Sequence, residues 1–239
     1  MHGRTVSKEL DPGRYLRWIR AGIAAVSIDL PGHGERYSAS LQHPRNTLDV
    51  LEQMVGEIDP VIAGLRSLPE AAAFDTSRMA IGGMSAGGMA ALRRLCKPHS
   101  FTSAAVEGTT GWLAGLYFPE VGGDAGTQAR WAQPHAKERV AAVDPSAHLE
   151  GFRPIPLLAL HSESDRVIPV AGLRRFLDAL TERYRDRGAD PGMIELKTWP
   201  ETGAPEEHNG FGRVSNDAKN AQVEFLARTL GAVTPAERP

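Results

Sequence analysis

Short apolar runs alternate along the chain with segments in which apolar positions recur every three or four residues. Short apolar runs are typical of buried strands, and the second spacing is typical of helices that pack through one face. Because helical segments separate the strands, the pattern predicts a mostly parallel, doubly wound α/β sheet with helices on both faces. The predicted strands are residues 22–28, 78–81, 101–106, 155–160 and 193–199.

The helical segments carry recognisable start and stop residues. Asp11, followed by a proline, predicts the start of the first helix, and Gly231 predicts the end of the last one. A long apolar stripe predicts a helix over residues 47–65, in which Pro60 should cause a kink or a break because proline has no N–H to donate. Further helices are predicted over residues 86–96 and around the stripe from 173 to 184.

Residues 111–151 depart from this alternation, since they form a longer connection that is rich in aromatic side chains. One interpretation is a helical excursion whose aromatic residues pack on the body of the protein. The other is a small cap that lines a pocket for an acyl chain. Under the second interpretation Trp112, Tyr117 and Met84 are the candidate substrate-binding residues.

Composition narrows the class of protein. A chain of 239 residues with 41% hydrophobic residues can bury the core of one domain, so we expect residues 1–239 to form a single unit with 111–151 as an insertion. The net charge of -2, without a basic and aromatic cluster, predicts no nucleic-acid partner. Without a secretory leader or an apolar stretch of membrane length, we expect a soluble, cytoplasmic protein. The single cysteine, Cys96, is expected to be a packing residue.

The stretch from Met79 to Gly88 holds the strongest chemical signal. It reads as a strand, then the sequence Gly83-Met-Ser-Ala-Gly87, then a helix. This order is typical of a nucleophile elbow, in which glycines allow a tight turn that exposes the serine hydroxyl. Ser85 is therefore the candidate nucleophile.

A serine hydroxyl needs a histidine to remove its proton and an acid to orient that histidine. His208 follows the last predicted strand, and Asp165 follows the strand before it, so both are expected at the sheet edge that carries Ser85. Glu163 and Glu107 are competing candidates for the acid. The order Ser85, Asp165, His208 is that of one hydrolase architecture.

The other histidines fit structural roles better. His33 lies in a tight turn, where a structural role is expected. Surface or packing roles are expected for His43, His99, His135 and His148.

The elbow, the loop from Asp165 to Pro169 and the late His208 together resemble an α/β-hydrolase. The resemblance covers nearly the whole chain and is closest to small bacterial esterases related to dienelactone hydrolases and to the catalytic domains of prolyl oligopeptidases. It implies Ser85 as nucleophile, His208 as base and Asp165 as its partner. It also implies an oxyanion hole formed by the N–H of Ala86 and an N–H after a His-Gly pair, here near Gly3 or Arg4.

The chain departs from that family in three ways. The strand that normally ends in His-Gly is absent before Met1, which predicts an N-terminally truncated reading whose missing strand would lie between residues 23–28 and 78–81. The competing interpretation is that the pair His2-Gly3 is a coincidence. His161-Ser162 stands where the family often has His-Gly. The nucleophile is serine, whereas dienelactone hydrolases use cysteine, which disfavours their particular substrate.

These observations predict a serine carboxylesterase that acts on small esters with short to medium acyl chains and needs no metal or organic cofactor. A peptidase or thioesterase with the same three residues is the alternative enzyme. A binding module with an inert triad is the alternative from a different class.

Overall fold

The computed structural model describes residues 1–118, 131 and 133–232, and its described strands form one parallel sheet. The strands are β1 (Ala80–Met84), β2 (Ser103–Glu107), β3 (Leu157–Ser162) and β4 (Ile194–Trp199), and they lie side by side in that order. The register pairs Gly83 with Val106, Val106 with Ala159 and Ala159 with Leu196. All carboxyl ends therefore meet at one sheet edge.

The α-helices surround this sheet. They are α1 (Pro12–Arg20), α2 (Ala39–Gln42), α3 (Thr47–Arg66), α4 (Ala86–Leu95), α5 (Ala114–Tyr117), α6 (Lys137–Val143), α7 (Val170–Asp186) and α8 (Ser215–Leu230). The Asp11 carboxylate accepts a hydrogen bond from the Arg14 N–H and so caps α1. Gly231 ends α8 in the left-handed conformation with φ 58°. The predicted start and stop are confirmed.

Two hydrophobic cores lie on opposite faces of the sheet. Along β3, Leu157 and Ala159 belong to the core shared with α3, α4 and α7, whereas Leu158 and Leu160 belong to the core under α8. Side chains alternate between faces along a strand, so this division shows that both faces are covered. The predicted doubly wound α/β architecture is confirmed.

The prediction of a strand over residues 22–28 is wrong. A strand requires a neighbouring backbone to pair with, and among the described residues the free edge of β1 is occupied only at its end by Met1. The Met1 amine donates to the Gly82 carbonyl at 2.9 Å, and the Met84 N–H donates to the Met1 carbonyl at 3.1 Å. A cavity of about 1400 Å³ is lined on one side by residues 22–28 and on the other by β1.

Of the kink or break predicted at Pro60, the break does not occur, because α3 is one continuous helix through this residue. A proline inside a helix leaves the carbonyl four residues earlier without its donor. Here Pro60 and Gly56 are both exposed, so water can hydrogen-bond to that carbonyl.

The described parts of the insertion pack on the body. Leu113, Leu116 and Val140 are buried in the larger core, and the Asp144 carboxylate accepts a hydrogen bond from the Ala114 N–H at 2.8 Å. These described parts of the insertion therefore pack on the body, and Trp131 also lines the cavity described above. Residues 119–130 and 132 of the predicted cap lie outside the described residues, so the cap remains a prediction.

Within the described part of the chain, no helix combines the length and the apolar character that crossing a bilayer requires.

Candidate active site

The turn after β1 is a sharp elbow centred on Ser85. Ser85 has φ 52° and ψ -120°, a conformation that a residue with a side chain adopts only when the surrounding structure enforces it. A Cβ on Gly83 would lie 2.6 Å from the Gly87 carbonyl oxygen, and a Cβ on Gly87 would lie 2.5 Å from the Met1 and His2 carbonyl oxygens. Both glycines are thus required by close backbone contacts.

Three side chains from three separate loops meet beside this elbow. His208 Nε2 lies 3.0 Å from Ser85 Oγ, and His208 Nδ1 lies 2.8 Å from Asp165 Oδ2. A carboxylate only accepts, so Nδ1 carries the proton and Nε2 is free to accept from the serine hydroxyl. The structure therefore brings together the serine, histidine and aspartate that the sequence singled out.

Asp165 is fixed through both carboxylate oxygens. Oδ1 accepts hydrogen bonds from the N–H groups of Val167 and Ile168, each at 2.8 Å. Burial opposes ionisation of this carboxyl, but hydrogen bonds from His161 and His208 outweigh it and hold the pKa of Asp165 below its usual value. Asp165 is therefore a charged, immobile acceptor for the imidazole of His208.

His161 is a neighbour of this group that the sequence did not assign to the site. Its buried Nε2 lies 2.8 Å from the Ile168 carbonyl and 3.4 Å from Asp165 Oδ2. The sequence offered one signal at this position, since His161-Ser162 stands where the family that the chain resembles often has His-Gly. His161 therefore stabilises the loop from Asp165 to Ile168 through contacts with both of these residues.

Glu207 is a second residue that the sequence did not assign. Its carboxylate accepts hydrogen bonds from the Thr202 N–H at 2.6 Å, the Gly203 N–H at 2.7 Å and the Ser162 hydroxyl at 2.9 Å. These bonds tie the loop before His208 to the end of β3. These bonds stabilise the loop that carries His208. Among the described residues, Glu207 forms no hydrogen bond with the imidazole itself.

The expected oxyanion donors lie close to the serine. Ala86 is the first residue of α4, so its N–H has no acceptor within the helix. A Cβ on Gly3 would lie 3.9 Å from Ser85 Oγ, which places the backbone of Gly3 beside the hydroxyl. His2 fixes this segment, because its Nδ1 donates to the Gly3 carbonyl at 2.6 Å and its Nε2 accepts from the Leu30 N–H at 2.9 Å.

The expected substrate contacts are divided. Met84 lines the cavity that opens at Ser85, together with Trp131, whose Nε1 donates to the Val167 carbonyl at 2.8 Å. Trp112 and Tyr117 are not among the described residues that line this cavity. The guanidinium of Arg175 instead lies 4.2 Å from the centre of the Trp112 ring.

The competing acids lie elsewhere. Glu163 pairs with Arg174 at 2.5 Å on the surface. Glu107 is buried in a network with Arg14 and Gln222. His33 is fully buried in its turn, where Nδ1 donates to the Pro31 carbonyl. In the described part of the chain, no three His, Cys, Asp or Glu side chains are grouped as metal ligands.

This arrangement can activate a hydroxyl and stabilise an oxyanion. The imidazole can take the proton of Ser85, Asp165 can stabilise the resulting imidazolium, and backbone N–H groups can hold a negatively charged oxygen. Such chemistry suits acyl transfer.

Comparison with known proteins agrees with the geometry. The model of the prolyl oligopeptidase family matches residues 16–232. Esterase YjfP from Escherichia coli (strain K12) is 28% identical over 191 residues, which is 78% of this chain and 75% of that protein.

Solved structures share the fold at low identity. The protein TT1662 from Thermus thermophilus has a TM-score of 0.66 at 22% identity, over 98% of this chain and 88% of that one. A puromycin-hydrolyzing peptidase from Mycobacterium tuberculosis has a TM-score of 0.66 at 20% identity, over 96% of this chain but only 34% of that one. The match with the peptidase is thus confined to about one third of that longer chain.

Proposed function

Because the chain belongs to the prolyl oligopeptidase family and is a serine hydrolase with the α/β-hydrolase fold, we propose that it is a carboxylesterase for short to medium acyl chains. The observation that carries the proposal is the continuous series of contacts from Ser85 through His208 to Asp165. The similarity to an esterase over three quarters of both chains supports ester substrates.

The proposed mechanism proceeds through an acyl-enzyme. His208 Nε2 takes the proton of Ser85 as the hydroxyl attacks the ester carbonyl, and the N–H groups of Ala86 and the Gly3–Arg4 segment hold the oxyanion. The imidazolium then protonates the leaving alcohol. Water, deprotonated by His208, attacks the acyl-serine and releases the acid. The steps use no metal or organic cofactor.

A peptidase is the second candidate. The fold is shared with peptidases such as the puromycin-hydrolyzing enzyme, although that likeness alone concerns the fold. Amide hydrolysis would use the same three residues, so the substrate classes must be separated by measurement.

Covalent labelling tests whether the site is active. A fluorophosphonate should modify wild-type protein at Ser85; Ser85→Ala should abolish labelling and His208→Ala should reduce it about a hundredfold or more, since general-base catalysis contributes that much. The exposed residues Ser164 and His43 supply matched controls, Ser164→Ala and His43→Ala, which should label normally. A folded wild-type protein that takes no label would instead support a binding module.

A substrate panel tests the specificity. The kcat/KM for p-nitrophenyl esters should reach its maximum at short to medium chains and exceed the values for aminoacyl arylamides and acyl-CoA thioesters. A steady rise towards palmitate, or faster arylamide turnover, would contradict the proposal.

A further inference from the structure

Arg4 carries a partly buried positive charge next to the elbow. Its Nη2 donates to the carbonyls of Leu41 at 2.9 Å and Gln42 at 2.7 Å, which fix the guanidinium against the end of α2. Its Nη1 is buried and has no hydrogen-bond partner among the described residues. One side of the guanidinium is thus satisfied and the other is not.

No anion neutralises this cation within the described part of the chain, where no carboxylate forms an ion pair with Arg4. Burial lowers the pKa of Arg4, although a guanidinium stays charged at any physiological pH. A buried charge without a partner is costly, so such a group commonly marks a place where a ligand supplies the opposite charge.

The position of Arg4 relates this charge to the proposed reaction. Arg4 follows Gly3, whose backbone passes beside Ser85, and it lines the same cavity as Ser85 and His208. The leaving oxygen must lie at His208 to receive a proton. The acyl chain is the other substituent of the carbonyl, so it is the part of the substrate left to extend towards Arg4.

We propose that Arg4 binds a carboxylate at the far end of the acyl chain, so that the preferred substrates are monoesters of dicarboxylic acids. This inference rests on the proposed esterase function and deepens it. It assigns the side chain of Arg4 to specificity, in addition to the part proposed for its backbone in the oxyanion hole.

Matched ester pairs test the proposal. Ethyl hydrogen glutarate and ethyl hydrogen adipate are compared with ethyl valerate and ethyl hexanoate, which have the same chain lengths without the charge, by pH-stat titration. At least one hemi-ester should exceed its neutral partner in kcat/KM by about tenfold or more, as expected for a hydrogen bond to a charged group. Arg4→Met should abolish that ratio, Arg4→Lys should retain part of it, and Arg45→Met on the exposed neighbouring loop should leave it unchanged.

A binding measurement keeps the test independent of turnover. In the Ser85→Ala protein, calorimetry should show glutarate or adipate binding about tenfold more tightly than valerate or hexanoate, and adding Arg4→Met should remove the difference. Esters that are not hydrolysed, together with this charge-dependent binding, would refute the esterase proposal and leave the Arg4 site standing. Equal binding and equal turnover of charged and neutral ligands would overturn the assignment of Arg4.

Discussion

The two carboxylate oxygens of Asp165 have different partners, Oδ1 in its own loop and Oδ2 at His208. One substitution can therefore change the contact with His208 and keep the contacts within the loop. In Asp165→Asn, the amide oxygen can still accept from the Val167 and Ile168 N–H groups, so the loop should keep its shape. The amide nitrogen would then face His208 Nδ1 and favour the wrong tautomer. We expect kcat to fall about 10⁴-fold, the loss known when an aspartate of this type is made neutral.

Glu163 provides the matched control for this variant. It lies two residues from Asp165 but points to Arg174 on the surface. Glu163→Gln should stay within about threefold of wild-type kcat, because exposed ion pairs contribute little. If Glu163→Gln lost activity and Asp165→Asn kept it, the acid would have been assigned to the wrong residue.

Glu207 makes the stability of the His208 loop depend on pH. Burial disfavours its charge, but hydrogen bonds from Thr202, Gly203 and Ser162 outweigh this and lower its pKa from 4.5 to about 2. A group with a lowered folded-state pKa stabilises the protein fully above its unfolded value and loses that contribution as pH falls through the folded value. Wild type should therefore be more stable than Glu207→Gln above about pH 4.5, and the difference should shrink below that pH and vanish as pH falls through about 2.

Denaturant unfolding at several pH values measures this difference. The exposed Glu201 of the same loop supplies the control Glu201→Gln, which should show little pH-dependent difference from wild type. A difference between wild type and Glu207→Gln that is as large at pH 2 as at pH 7 would argue against the hydrogen-bonded carboxylate.

At the scale of single residues, the sequence predicts which side chains follow the ends of strands better than it predicts the contacts that hold those side chains in place. Ser85, Asp165 and His208 follow strands, and the rule that parallel strands end at one edge places them together. Glu207 and His161 support the site mostly through loop residues four to seven positions away in sequence. Such loops have no apolar periodicity from which these contacts could be predicted. Trp112 illustrates the converse, since an aromatic side chain in an insertion was predicted at the pocket and instead packs with Arg175.

At the scale of elements, the elbow and the long helix α3 use glycine in opposite ways. A Cβ at Gly83 would press on the Gly87 carbonyl, whereas a Cβ at Gly56 on α3 would meet nothing within 4 Å. We expect Gly83→Ala to destabilise the protein by about 1–3 kcal/mol, the usual cost of overpacking. Gly56→Ala should stabilise it by up to about 1 kcal/mol, the difference in helix propensity.

Thermal and denaturant unfolding of the two variants checks this contrast. A stable Gly83→Ala protein with normal fluorophosphonate labelling would show that the turn tolerates a side chain, contrary to the close contacts described above.

The strand predictions succeed where neighbours exist. Four of the predicted runs overlap β1 to β4, with ends displaced by at most three residues. The fifth run has the same apolar character, but pairing is a property of two backbones, and the described neighbour of residues 22–28 is a cavity. No residue of this run is buried, and Val26 is 53% exposed, so here the apolar pattern predicted neither burial nor a pairing partner.

At the scale of the whole molecule, a buried polar network joins parts that are far apart in sequence. Arg14 from α1 contacts the carboxylate of Glu107 at the end of β2, and Gln222 from α8 bonds to both, each at 2.8 Å. Glu107→Leu would leave Arg14 without its buried partner. Arg14 would keep its contact with Asp11 at 3.2 Å, so we expect a loss of about 3 kcal/mol, the lower end of the cost of breaking a buried ion pair.

A double-mutant cycle tests this network. Arg14→Met combined with Glu107→Leu should cost less than the sum of the single changes, because no unpaired charge remains. Free energies of unfolding for the four proteins give the coupling energy directly. Strict additivity would mean that the two side chains do not stabilise each other.

The single thiol of the chain lies at the end of α4, where Cys96 Sγ is 3.4 Å from the Leu92 carbonyl, and burial raises its pKa to about 12. Maleimides and iodoacetamide react with thiolates, so the native side chain should remain unmodified by them at neutral pH. A cysteine introduced at an exposed position would then carry a dye alone, and fluorescence could follow motions of one chosen surface loop without first removing the natural residue.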